Sequence, residues 1–150
     1  MKKGFLIVLF PFWTSLFLLS PVFAGFELPY EVYRIDELKE AQKRARSIKQ
    51  PIVFLYSDEE TNCGLTTAAS LDVFEEFKDS HIIIYVDKTV WAKIPALVKK
   101  AVNSSESGTF IPKSIVVDPE ITRVISVIPY KRDPDERLEL LRAAKEMSLR

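Results

Sequence analysis

Among 150 residues the chain holds one cysteine and one histidine. The cysteine, Cys63, lies in "SDEETNCGLTTAAS", between an acidic run (Asp58, Glu59, Glu60) and a stretch with helical spacing. A thiol at the first turn of a helix is suited to nucleophilic chemistry, because unpaired backbone N–H groups and the helix dipole favour the thiolate. The three carboxylates act in the opposite sense, since like charge disfavours a thiolate. Thr66 stands three residues on and shares a helix face with Cys63. Its hydroxyl can donate a hydrogen bond to a thiolate but cannot form a disulfide. Without a second cysteine in the chain, an internal dithiol cycle is chemically impossible. Cys63 is therefore a nucleophile that forms mixed disulfides with other molecules, a buried small hydrophobe, or a link between two chains. His81 opens an apolar run and suits a structural role better than a catalytic one. One histidine and one cysteine do not make a zinc site of the usual kind. No metal and no cofactor are expected, and no glutathione or peroxide site stands out.

The elements that must position Cys63 begin after a distinct N-terminal segment. Lys2 and Lys3 precede an apolar run from Gly4 to about Leu19, followed by Pro21 and Val22-Phe23-Ala24. That order is a secretory signal, with cleavage expected after Ala24 and export to the periplasm or the exterior. The alternative is an uncleaved membrane anchor over residues 4–24, because about 20 apolar residues span a bilayer. Residues 25–150 form one domain of ordinary size. Without Lys2 and Lys3 the chain carries 19 basic and 21 acidic side chains, a formal charge of −2. Such a balance argues against nucleic acid or an anionic membrane as partner.

From Ile35, apolar residues recur at Leu38, Ala41, Ala45 and Ile48, the spacing of an amphipathic helix with Asp36 as its N-cap. Lys43, Arg44, Arg46 and Lys49 then form its wet face. "PIVFLYS" reads as a buried strand. The helix after Cys63 places Leu65, Ala69, Val73 and Phe77 at near-helical spacing. "HIIIYVD" is continuously apolar, as in a central strand covered on both faces. "IPALVKKAVNSS" is a shorter helix, and Trp91 is expected to pack the loop before it. "KSIVVD" and "TRVISVI" flank "PEI", a tight connection that predicts an antiparallel hairpin. Pro134 then opens a helix with Leu138, Leu141 and Ala144 on one face. "FELPYEVYR" supplies one further short strand. Asn103-Ser104-Ser105 matches a glycosylation sequon.

Strands joined by helices imply parallel pairing, and the closing hairpin adds antiparallel strands. The succession resembles the thioredoxin-like superfamily: an α/β/α three-layer sandwich with a mixed sheet, a C-terminal hairpin and a final helix. Two local stretches carry the resemblance. Cys63-Gly64-Leu65-Thr66 falls at a helix start after a buried strand, where thioredoxins carry Cys-Gly-Pro-Cys, and Ile111-Pro112 precedes the hairpin strand, where the family has a cis-proline facing the cysteine. The resemblance implies that Cys63 and Thr66 form the catalytic pair, Cys63 as monothiol nucleophile. Asn62, Gly64, Leu65, Ile111 and Pro112 would then form a rim that binds a protein or peptide thiol or disulfide. A redox-inactive binding or scaffold domain using the same groove is the alternative. The chain departs from the family where "VFLY" lacks the buried carboxylate, and Asn62 and Leu65 replace tryptophan and proline. After Gly25 the chain has only Gly64 and Gly108, and both are expected where the backbone needs special dihedrals or close approach.

Overall fold

The computed structural model describes residues 28, 29 and 31–150. The expected signal or anchor segment, residues 1–24, lies outside the described residues. The elements are β1 (Tyr33–Arg34), α1 (Leu38–Ile48), β2 (Ile52–Ser57), α2 (Gly64–Phe77), β3 (Ile82–Asp87), α3 (Ala96–Val102), β4 (Lys113–Val117), β5 (Val124–Ile128) and α4 (Pro134–Ser148). Three short 3-10 turns lie between them, over Ile35–Glu37, Lys88–Lys93 and Ser105–Ser107.

The strands form one sheet in the order β1-β3-β2-β4-β5. β1, β3 and β2 run parallel, with Val53 paired to Ile83 and Phe54 to Ile84. β4 is antiparallel to β2, and β5 to β4. The central strand is thus β2, and the "HIIIYVD" strand sits beside it, between β1 and β2. Its continuous apolar character has the expected cause, a covering layer on each face. Ile82, Ile84 and Val86 point to the layer that holds Ala41 and Ala45 of α1 and Val98 and Val102 of α3. Ile83 and Tyr85 point to the opposite layer, with Val73, Phe74 and Phe77 of α2 and Leu141 and Ala144 of α4. The period of two in a strand divides one apolar run between two cores.

Local signals set most boundaries. The first helix differs from expectation: Asp36 is not its N-cap but lies inside the 3-10 turn, where its carboxylate pairs with Lys93 at 2.5 Å. The chain enters that turn at Arg34, whose N–H donates to the Glu37 carboxylate at 2.7 Å. α1 ends at Lys49 in the left-handed conformation (φ 56°), and Pro51 follows. α4 starts as expected at Pro134, capped by Asp133, whose Oδ1 accepts from the Asp135 and Glu136 N–H groups at 3.0 Å each. The basic residues Lys43, Arg44, Arg46 and Lys49 are exposed, and Arg46 pairs with Glu120. Trp91 sits in the turn after β3, its ring edge-on to Tyr56 with centroids 5.6 Å apart. Among the described residues, no helix is long and apolar enough to cross a membrane.

Candidate functional site

Strand pairing brings the two sequence stretches to one end of the sheet. β2 runs out toward Cys63, and its Tyr56 is paired with Lys113 at the start of antiparallel β4. Pro112 immediately precedes that residue. The loop to Cys63 and the loop ending at Pro112 therefore leave the sheet side by side. The Ile111–Pro112 peptide bond is cis. Ile111 is half-buried and Pro112 buried, whereas Asn62, Gly64 and Leu65 are exposed.

Cys63 is the N-cap residue of α2, with extended backbone dihedrals (φ −84°, ψ 106°). Its thiol is exposed, so a role as buried hydrophobe is excluded. A neutral thiol is a poor cap and makes no side-chain cap bond here. The thiolate is the form that the local donors favour. The Thr66 N–H, then its hydroxyl, then the Leu65 N–H lower the thiol pKa below its ordinary value, and only slight desolvation opposes them. Thr66 is buried at the first turn with Ser70 one turn below it, and the Ser70 hydroxyl lies 3.3 Å from that of Ser57. Leu55, in the "VFLY" stretch that lacks a carboxylate, is fully buried.

The acidic run has partners of its own. Glu59 accepts both terminal nitrogens of Arg34 at 2.8 and 2.6 Å, which holds its carboxyl below the usual range. Asp58 pairs with Lys88 at 2.6 Å. Asp87, at the end of β3, accepts the Glu59 N–H at 2.8 Å and so ties the loop to the sheet. Closer to the thiol, the Cys63 N–H donates to the Thr61 hydroxyl at 3.1 Å. The loop acids do not contribute to the Cys63 shift. The two opposing influences on the thiol thus resolve in favour of the helix start.

Three expectations fail on particular residues. Leu65 does not join the buried face of α2 with Ala69, Val73 and Phe77; it is 48% exposed at the rim. Ile48 likewise leaves the α1 face and is exposed. Gly64 has no special backbone need: its φ is unexceptional and an added Cβ would meet nothing within 4 Å. Gly108 has one, with φ +69° in the loop before Pro112. Three polar residues carry more of the structure than their spacing suggested. These are Asp87, the buried Lys113, and Arg137, whose Nε donates to Asp72 at 2.6 Å. A lysine opening "KSIVVD" and an arginine on the apolar side of α4 were the available signals. Among the described residues, no group of three or more His, Cys, Asp or Glu side chains is placed to hold a metal ion.

Sheet order, strand directions and helices on both faces define a thioredoxin-like fold. No protein-family model matches the chain. No curated protein matches it. Fourteen chains of solved structures are similar. One of them, described as "DsbH Oxidoreductase", is 15% identical, with coverage of 88% of this chain and 93% of its own, at a TM-score of 0.49.

Proposed function

We propose that this chain is an exported thioredoxin-fold protein whose single thiol engages partner proteins by mixed disulfide. The observation that carries the proposal is the exposed Cys63 at the N-cap of α2, with Thr66 and Leu65 donors favouring its thiolate. The Cys63 thiolate, having lost its proton to solvent, attacks one sulfur of a partner's disulfide. The Cys63–partner S–S bond forms as the partner's own S–S bond breaks. The electron pair leaves on the second partner sulfur, which takes a proton from solvent. The partner's disulfide is itself the oxidant: one of its sulfurs is reduced to a thiol as Cys63 is oxidised into the mixed disulfide. Thr66 cannot resolve the adduct, so release awaits an external thiol. Asn62, Gly64, Leu65, Ile111 and Pro112 form the rim against which the partner chain lies. Residues 1–24 act as the export signal, or, uncleaved, as an anchor.

The test compares the full chain with Cys63→Ser after incubation in oxidised extract, on a non-reducing gel. Adducts present with wild type and absent with Cys63→Ser are expected. Identical band patterns from the two proteins overturn covalent engagement. Exposed apolar surface favours the non-covalent alternative as a second reading: Phe110 is 71% and Leu65 48% exposed. That reading predicts that the same partners co-purify with the Cys63→Ser protein.

A further inference from the structure

The loop that ends at Pro112 is held from behind by a buried ammonium. Lys113 is only 9% exposed. Its Nζ donates to the Val102 carbonyl at 3.1 Å and to the Ser107 hydroxyl oxygen at 3.2 Å. Val102 is the last residue of α3, so its carbonyl belongs to the negative end of the helix and has no partner within it. Ser107 is fully buried, and its own hydroxyl donates to the same Val102 carbonyl at 2.5 Å. The bonded partners of the ammonium are a carbonyl and a hydroxyl rather than a carboxylate. Burial accordingly depresses the Lys113 pKa.

An ammonium in such a place is costly, and an apolar residue would close the strand with less penalty. What it secures is the path of the loop. Ser107 sits within the loop, Lys113 at its end, and both converge on the C-terminus of α3. Between them lie Gly108, which must hold φ +69°, the exposed Phe110, and the Ile111–Pro112 pair. Val102 belongs to the α1/α3 core, so the clamp lies on the face of the sheet opposite α2 and its thiol.

We propose that Lys113, seated on Ser107 and the end of α3, is a positioning residue that holds the Phe110–Pro112 edge in the shape an extended peptide needs, so that Cys63 reacts preferentially with disulfides carried on peptide chains. This rests on the mixed-disulfide function proposed above. Lys113 acts through the loop and does not take part in the exchange.

The experiment uses two disulfides with the same aromatic leaving thiolate. One is 5,5′-dithiobis(2-nitrobenzoate). The other is an unstructured peptide of about ten residues whose central cysteine carries one nitrothiobenzoate. In both, Cys63 attacks and nitrothiobenzoate leaves, so its absorbance reports each second-order rate. Wild type is expected to favour the peptide. Lys113→Met should reduce the peptide rate about tenfold, the equivalent of one lost charged hydrogen bond, and leave the small-disulfide rate within about twofold. Ser107→Ala, which keeps the ammonium and its bond to Val102, should reduce the peptide rate by about threefold and carries the test if Lys113→Met fails to fold. Equal losses on both disulfides, no loss on the peptide, or a wild type without peptide preference would overturn the positioning role while leaving a reactive thiol. A wild type inert to both reagents would instead overturn the thiol chemistry on which the proposal rests.

Discussion

Lowering the pH from 7 to 4.5 should destabilise the domain through its one histidine, by an amount the structure allows to be worked out. His81 is 3% exposed, with its ring edge-on to Phe77 at a centroid distance of 4.7 Å. Nε2 lies 2.7 Å from the Ser148 hydroxyl, which itself donates to the Lys145 carbonyl at 2.8 Å. That hydroxyl has only a lone pair left for the ring, so Nε2 carries the proton. Nδ1 then accepts from the Ser80 hydroxyl at 2.8 Å. The neutral imidazole is satisfied at both nitrogens. Burial, and secondarily the Lys145 ammonium, disfavours the cation and lowers the pKa from 6.5 to about 4. Between those values the unfolded chain binds the proton and the folded chain does not, so stability falls as pH falls. The contribution is complete above pH 6.5, and its loss is on the order of 2–3 kcal/mol at pH 4.5. Urea titrations at the two pH values measure it in wild type and in His81→Gln, which lacks the titrating ring. Carboxylates shared by both proteins cancel in the comparison. Because the chain has one histidine, its ring Cε1–H resonance also reports the folded pKa directly by NMR. A resonance that titrates near 6.5, or equal losses in the two proteins, would refute the reasoning.

Two further perturbations address the thiol and the helix layer. Thr66→Val removes one of the donors facing Cys63 but keeps the backbone N–H, the larger influence. The Cys63 pKa should rise yet stay below that of an ordinary thiol, as read from the pH dependence of iodoacetamide alkylation; an unchanged profile would show that the hydroxyl does not face the sulfur. Arg137 is buried and clasps Asp72 of α2 through two nitrogens while its Nη1 donates to the Lys131 carbonyl at 2.8 Å. Arg137→Met strands both partners, though Asp72 keeps 29% of its side chain exposed. A loss of about 2–3 kcal/mol in urea unfolding is expected, and a loss below about 0.5 kcal/mol would mean that the pair is solvated like a surface bridge.

Much of the architecture was legible because it follows from local rules. The continuous apolar runs of β2 and β3 required cover on both faces, and the short "PEI" connection required an antiparallel hairpin. Pro134 marked a helix start with a donor-free first residue, and the structure adds the Asp133 side-chain cap. Where local rules competed, the outcome differed. Asp36 is a good N-cap residue, yet Arg34 and Glu37 close the turn and leave Asp36 to Lys93. Leu65 has the spacing of a core residue but lies in the first turn of α2, where it is left exposed. Glycine scarcity pointed to two special positions, and only Gly108 has one, since the start of a helix places no demand on φ at Gly64.

The sequence alone determined what this thiol is barred from doing. With one cysteine and Thr66 three residues on, no internal disulfide can form in any fold, because the restriction is one of covalent chemistry. It also determined the alternation of strands and helices, since apolar periodicity is a property of neighbouring residues. Only the tertiary structure decided which groups act on Cys63: the Thr66 N–H and hydroxyl and the Leu65 N–H favour its thiolate. The run Asp58-Glu59-Glu60 reads as negative charge beside the thiol, but Arg34 and Lys88, supplied by β1 and the turn after β3, hold Glu59 and Asp58. Coulombic interaction depends on distance in space, and those cations lie 25 and 30 residues away along the chain.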